Sequence, residues 1–317
     1  MLRRIALLAV LPLLAACGSK SSGPQPISIQ FGFSVPAGTE KTQCYVTKLS
    51  NVRPYDFARV DSHMSAGSHH LILYRDASSL LGGTPPAEGV GDCQMDAPRL
   101  LVYTTQEADH SITMPPGIAA ELPPDALVIL EAHYVNASTQ DLQAHAEVTL
   151  TPMTEKIDAY AGILFFLDTN FSVPPGAGIN GSPAYVHDTT CPVPAGIHVF
   201  RMGSHTHKRG LDVKVWQDDV PVATGKPAVD VSMIFENTNW ETPAEKDWPD
   251  ASPLDFGDNQ AMHFQCSWQN ETNQAIGFGP SANTDEMCII GAGYWPKVSG
   301  PQNLDGNVFC ADGTLYY

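Results

Sequence analysis

The chain has 317 residues, with 17 Lys and Arg against 34 Asp and Glu, a formal net charge of −17. A surface this acidic repels a phosphate backbone, which excludes nucleic acid as a partner. The length suits two domains of ordinary size, and a 43% hydrophobic content is enough to give each a core.

At the N-terminus, Arg3 and Arg4 precede an apolar run from Ile5 to Leu14, closed by Leu14-Ala15-Ala16-Cys17. The run is too short to span a bilayer and reads as a secretory signal over residues 1–16. Its ending resembles the bacterial lipobox, so Cys17 is expected to carry lipid and to open the mature chain. Residues 17–27 are then Cys17 and a polar tether that begins Gly18-Ser19-Lys20-Ser21-Ser22-Gly23-Pro24. The expected address is a bacterial cell envelope, lipid-anchored, with Gly18 pointing to the outer membrane. Contact with the membrane is expected through the anchor only, since no later stretch is apolar enough to cross one.

Beyond the tether, short β-rich runs alternate with Gly, Pro, Asn and Asp: 70–74, 126–134, 146–150, 159–167, 211–216 and 229–235. Amphipathic helical periodicity is nearly absent. The pattern predicts an all-β protein of antiparallel sandwiches or barrels. A polar stretch at 152–156 suggests a boundary, giving domains at 28–153 and 154–317. The acidic stretch from Glu236 to Asp258 reads as a solvated loop.

With Cys17 assigned to lipid, six cysteines remain: Cys44, Cys93, Cys191, Cys266, Cys288 and Cys310. An even number in an exported chain implies disulfides, although sequence alone leaves many pairings open. No Cys-x-x-Cys pair is present, which argues against a zinc ribbon or a thioredoxin-type site.

The histidines fall into two sets. His205 and His207, two apart on a strand, can present both imidazoles to one face. A thioether from Met287 would complete a set without thiolate, suited to copper passing through its cuprous state. His69, His70 and His133 could make a separate all-nitrogen site. Adjacent strand residues point to opposite faces, so His69 and His70 can share a metal only at a strand end or a bulge, and Gly67-Ser68 favours a kink there.

These elements, in this order, resemble the copper type II, ascorbate-dependent monooxygenases. The matching segments are Ser68-His69-His70, Ala132-His133-Tyr134, Ser204-His205-Thr206-His207 and Thr284-Asp285-Glu286-Met287-Cys288. Further similarity runs through Ala159-Tyr160-Ala161-Gly162, Ser172-Val173-Pro174-Pro175-Gly176, Ile197-His198-Val199-Phe200 and Phe256-Gly257-Asp258. The resemblance implies two jelly-roll-like β-sandwiches side by side, each contributing one copper site, and two copper ions per chain. It also implies the pairings Cys44–Cys93, Cys191–Cys310 and Cys266–Cys288.

The implied activity is hydroxylation of a C–H bond with O2 and ascorbate or another one-electron reductant. In that scheme His69, His70 and His133 hold the copper that stores an electron. His205, His207 and Met287 hold the copper that meets O2 and a small-molecule or peptide-like substrate. Asp285 and Glu286 are candidates to support the ligands, or else a solvated turn. The family's peptide-amidating member grips a carboxylate with Arg and Tyr at positions that are Gly203 and Gly291 here, and a glycine offers no side-chain donor. A bulkier or uncharged substrate is therefore expected. Arg201 lies nearby, and Arg209, next to Lys208, is expected to face solvent. Two competing readings are a copper-sequestering or copper-delivering envelope lipoprotein without catalysis, and an adhesion module.

Overall fold

The computed structural model describes residues 23–93, 97–219 and 232–317. The expected signal, Cys17, the first part of the expected tether and residues 229–231 of the last predicted strand lie outside the described residues. Among the described residues the protein is an all-β sandwich structure whose one helix, Ser78–Leu81, is a single turn.

Two hydrophobic cores form, one from residues between Ile29 and Leu150 and one from residues between Leu164 and Cys310. Around the first core, a six-stranded sheet faces a five-stranded one. Consecutive strands pass between the two: Ile27–Val35 and Tyr55–Met64 belong to the larger sheet, Glu40–Lys48 and Ser68–Asp76 to the smaller. The second core lies between a seven-stranded and a four-stranded sheet. The strand Leu142–Pro152 alternates regularly between buried and half-exposed side chains, as a strand with one wet face should. Leu127–Val135 is buried along nearly its whole length. Val128, Leu130, Ala132 and Tyr134 fill the first core, which leaves Glu131 and His133 on the opposite face, toward the second half.

The predicted strand 159–167 is divided: Ala159–Tyr160 pairs parallel with the first half, and Gly162–Leu167 enters the seven-stranded sheet. The chain thus changes halves at Ala161. Polar contacts then join the halves. The Glu40 carboxylate accepts from the Ser281 hydroxyl at 2.7 Å and from Asn283 Nδ2 at 3.1 Å. The Leu101 amide donates to Asn307 Oδ1 at 2.9 Å, and Arg75 pairs with Asp305. His110 Nε2 lies 2.9 Å from Glu245 Oε2. Glu245 and Asp247 belong to a short strand, Glu245–Asp247, on the edge of the seven-stranded sheet. The acidic stretch is therefore not a plain solvated loop, because one of its carboxylates is used between the halves.

All three disulfides implied by the resemblance are formed, Cys44–Cys93, Cys191–Cys310 and Cys266–Cys288.

Candidate metal centre

His69 and His70 open the strand Ser68–Asp76, and the pairing register slips between Ser68 and His70. That bulge lets adjacent imidazoles turn to the same side, with ring centroids 5.2 Å apart. His133, opposite His70 on the neighbouring strand, brings its ring to 5.0 Å from that of His70 and 5.2 Å from that of His69.

On the other half, the strand Ile197–His205 ends at His205, so His207 lies beyond it rather than on the same strand as the spacing suggested. A buried carboxylate fixes the turn that follows. Glu286 accepts from the amides of His207 (3.0 Å) and Arg209 (2.8 Å) and from the Trp268 indole (3.2 Å). With 0% exposure it is no solvated turn residue, and burial pushes its pKa up to about 7 against the pull of those amides. His207 Nδ1 lies 3.0 Å from the Asp285 carbonyl and must donate to it, which leaves Nε2 as the free acceptor. The His205 and His207 rings end 5.1 Å apart.

Two separate sites, one per half, were expected. Instead the two histidine sets meet. The His69 ring is 5.5 Å from both His205 and His207, and His70 is 5.9 Å from His205. Potential ligand atoms lie within 4.8 Å of one another in the group His69, His70, His133 and again in His69, His205, His207, so His69 belongs to both. The histidines still come from different sheets, as expected: the first three from the five-stranded sheet and His205 from the seven-stranded one.

The polar atoms of this cluster fit a cation. Among the described residues, His69 Nε2, His133 Nδ1 and His207 Nε2 are buried without a hydrogen-bond partner, an arrangement costly for imidazole unless a metal takes the lone pair. Burial, then the neighbouring imidazoles, pushes His69 down to about 2 and His133 down to about 3. His205 and His207 are also lowered, burial leading in each case. Neutral imidazoles are the form that binds metal. Glu40 faces His133 Nε2 and Glu131 faces His70 Nε2, each at 3.7 Å, so the outward nitrogen of each ring meets a carboxylate. Burial alone would raise the Glu131 pKa, but His70 and Arg99 together outweigh it and the net direction is down.

Glu40 escaped notice in the sequence because its partner Ser281 is 241 residues away. Glu131 left a readable trace, a carboxylate two residues before a histidine in an otherwise apolar strand. Arg209 corrects a further expectation. It is buried rather than facing solvent, pairs with Glu271 at 3.0 Å and donates to the Asn283 carbonyl. Arg201 is bound to Asp247 at 2.6 Å.

Met287 alternates away from the inward-pointing Glu286 and shares the wall of a cavity with His70, His133 and His205. The space, about 910 Å³, is walled by the five-stranded and seven-stranded sheets, with Phe57, Val60 and Glu121 of the six-stranded sheet at its far side. Since every described cysteine is in a disulfide, a soft donor there must be a thioether, and Met287, on the His205 side, is the candidate.

Residues 160–303 match the family model for the C-terminal domain of the copper type II ascorbate-dependent monooxygenases. That match lies in the second half of the chain and takes in His205, His207 and Met287. No curated protein matches the chain. Solved structures similar to it include the major capsid protein P2 from bacteriophage PM2, at 9% identity and a TM-score of 0.34, covering 84% of this chain and 97% of that one. Another is PNGase F, a glycosylasparaginase from Flavobacterium meningosepticum, at 6% identity and a TM-score of 0.32, covering 86% and 95%. At such TM-scores neither carries an argument about this chain.

Proposed function

We propose that this chain is a dicopper monooxygenase that hydroxylates a C–H bond using O2 and a one-electron reductant such as ascorbate. The observation that carries the reading is the cluster of five imidazoles, three with orphaned buried nitrogens, set beside Met287 at the wall of a cavity. Copper would supply one-electron redox chemistry and a place for O2, and a thioether favours its cuprous form. His70 and His133 would hold one ion, His205, His207 and Met287 the other, and His69 lies within reach of both. Glu40 and Glu131 orient the rings of His133 and His70. Glu286 fixes the turn that aims His207, and the Asp285 carbonyl sets its tautomer. The sheets around the cavity limit water near the reacting groups.

A copper-sequestering lipoprotein would need the ligands but no cavity, and the space beside His205 and Met287 favours the enzyme. The lipid anchor at Cys17 belongs to the same proposal and rests on the leader sequence. Cys17→Ala should release the chain from the membrane fraction, and unchanged partitioning would overturn the anchor.

X-ray absorption on the cuprous chain tests the reading. Two copper ions per chain, imidazole ligation with a sulfur neighbour at one of them, and rapid reoxidation by O2 are expected. A chain that binds no copper, or whose cuprous form is inert to O2, would contradict it.

A further inference from the structure

The cavity beside the histidine cluster has a wall chemistry that selects among substrates. Its apolar lining includes Ile72, Ile163, Phe165, Leu167, Phe278 and Ile289. The cations on its wall are already engaged. Arg201 is held by Asp247, Glu245 and the Ser111 carbonyl. Arg75 and Lys297 both pair with Asp305. A carboxylate or phosphate entering the space would lose its water and find no free cationic side chain on the wall. Of the anions, Glu131 is held by Arg99 and Glu245 by His110 and Arg201. Asp92 accepts from Gln43 at 2.6 Å. Glu121 remains, but it lies in the strand Ile118–Leu122 of the six-stranded sheet, not on the strands that carry His70, His133 and His205.

Two glycines open the space next to the cluster. Gly203 and Gly291 are direct register partners, and Gly203 is two residues before His205. Other glycines nearby are required by packing: a Cβ at Gly293 would come within 2.4 Å of the Phe200 ring, and one at Gly162 within 2.5 Å of Tyr294. A Cβ at Gly291 would meet nothing within 4 Å, and one at Gly203 only Glu245 Cγ, at an ordinary 3.6 Å. Neither glycine has a positive φ. Packing and backbone conformation therefore do not explain them; what they leave is room.

We propose that this cavity binds a neutral, largely apolar organic molecule, and that this molecule is the one hydroxylated. The first clause rests on the wall alone, and the second rests on the monooxygenase reading. At about 910 Å³ the space is at the upper end of small-molecule pockets, so the occupant is bulky. Burial of its apolar surface drives binding.

The test is equilibrium displacement of the neutral dye Nile red from the full chain, with and without copper. The competitors are a matched naphthalene series carrying a neutral, a carboxylate or an ammonium substituent. The neutral compound should displace the dye at least about tenfold more tightly than either charged one, the equivalent of ~1.4 kcal/mol. Gly291→Phe should weaken the neutral compound by at least about tenfold at an unchanged melting temperature, whereas Gly291→Ala should stay near wild type. Gly291→Leu repeats the test if the Phe variant melts early. Equal or tighter binding of the carboxylate or the ammonium compound would overturn the proposal, the latter pointing to Glu121. So would neutral binding that a filled Gly291 position leaves unchanged. Because binding is read without turnover, its failure leaves the monooxygenase reading standing. A chain that binds the neutral compound yet never reacts with O2 would sink that reading and keep the binding class.

Discussion

Two disulfides in the second half should separate global stability from the copper site. Cys266–Cys288 closes 22 residues and Cys191–Cys310 closes 119, and all four cysteines are fully buried. In the loop-entropy account, removing a cross-link costs about 3 kcal/mol for the shorter loop and about 5 kcal/mol for the longer. The short loop is nested in the long one, but a shortcut of this size changes the logarithm little. Replacing each pair with alanine should therefore destabilise the chain more for Cys191/Cys310, by roughly 1.5 kcal/mol. The copper site should respond in the opposite order, because Cys288 is bonded to Met287 whereas Cys191 and Cys310 lie elsewhere in the second core. Urea unfolding followed by fluorescence, with buried Trp268 as a reporter, gives the first ordering. Cuprous affinity by chelator competition gives the second, with a loss only for the Cys266/Cys288 pair. Equal loss of cuprous affinity in both variants, or a larger stability loss from the short loop, would refute the reasoning.

Met287→Ile keeps a similar volume and should leave the melting temperature unchanged while weakening cuprous binding and abolishing O2 reactivity; circular dichroism and chelator competition check this. His69→Ala should lower copper loading at both positions because His69 belongs to both ligand groups, whereas His133→Ala should spare the His205 and His207 side. Metal analysis of the two variants distinguishes this from two independent sites. Glu286→Gln cannot accept at both carboxylate oxygens, so one of the three N–H donors loses its partner. The variant should lose about 1–3 kcal/mol of stability, read by urea unfolding, with weaker copper retention.

The fold class and the ligand candidates were legible because each leaves a local mark: strand-length runs between turn residues, a kink before His69, and histidines two apart. The positions of those histidines relative to one another were not. His207 was expected on the strand with His205, yet the strand stops first and Glu286, 79 residues on, fixes the turn. The meeting of the two histidine sets depends on how two separately folded sheets dock, through contacts such as Glu40 with Ser281 and His110 with Glu245 that no local pattern encodes. Arg209 misled because its neighbour Lys208 suggests a solvated face, while Glu271 and the Asn283 carbonyl, both distant in sequence, pull it inward.

The most direct measurement is a single turnover of the copper-loaded chain, reduced by ascorbate without air and then exposed to 18O-labelled O2 in the presence of neutral apolar compounds. The account predicts one labelled oxygen atom in an organic hydroxylation product, and none with Met287→Ile. Copper that is reoxidised while no compound acquires label would contradict it.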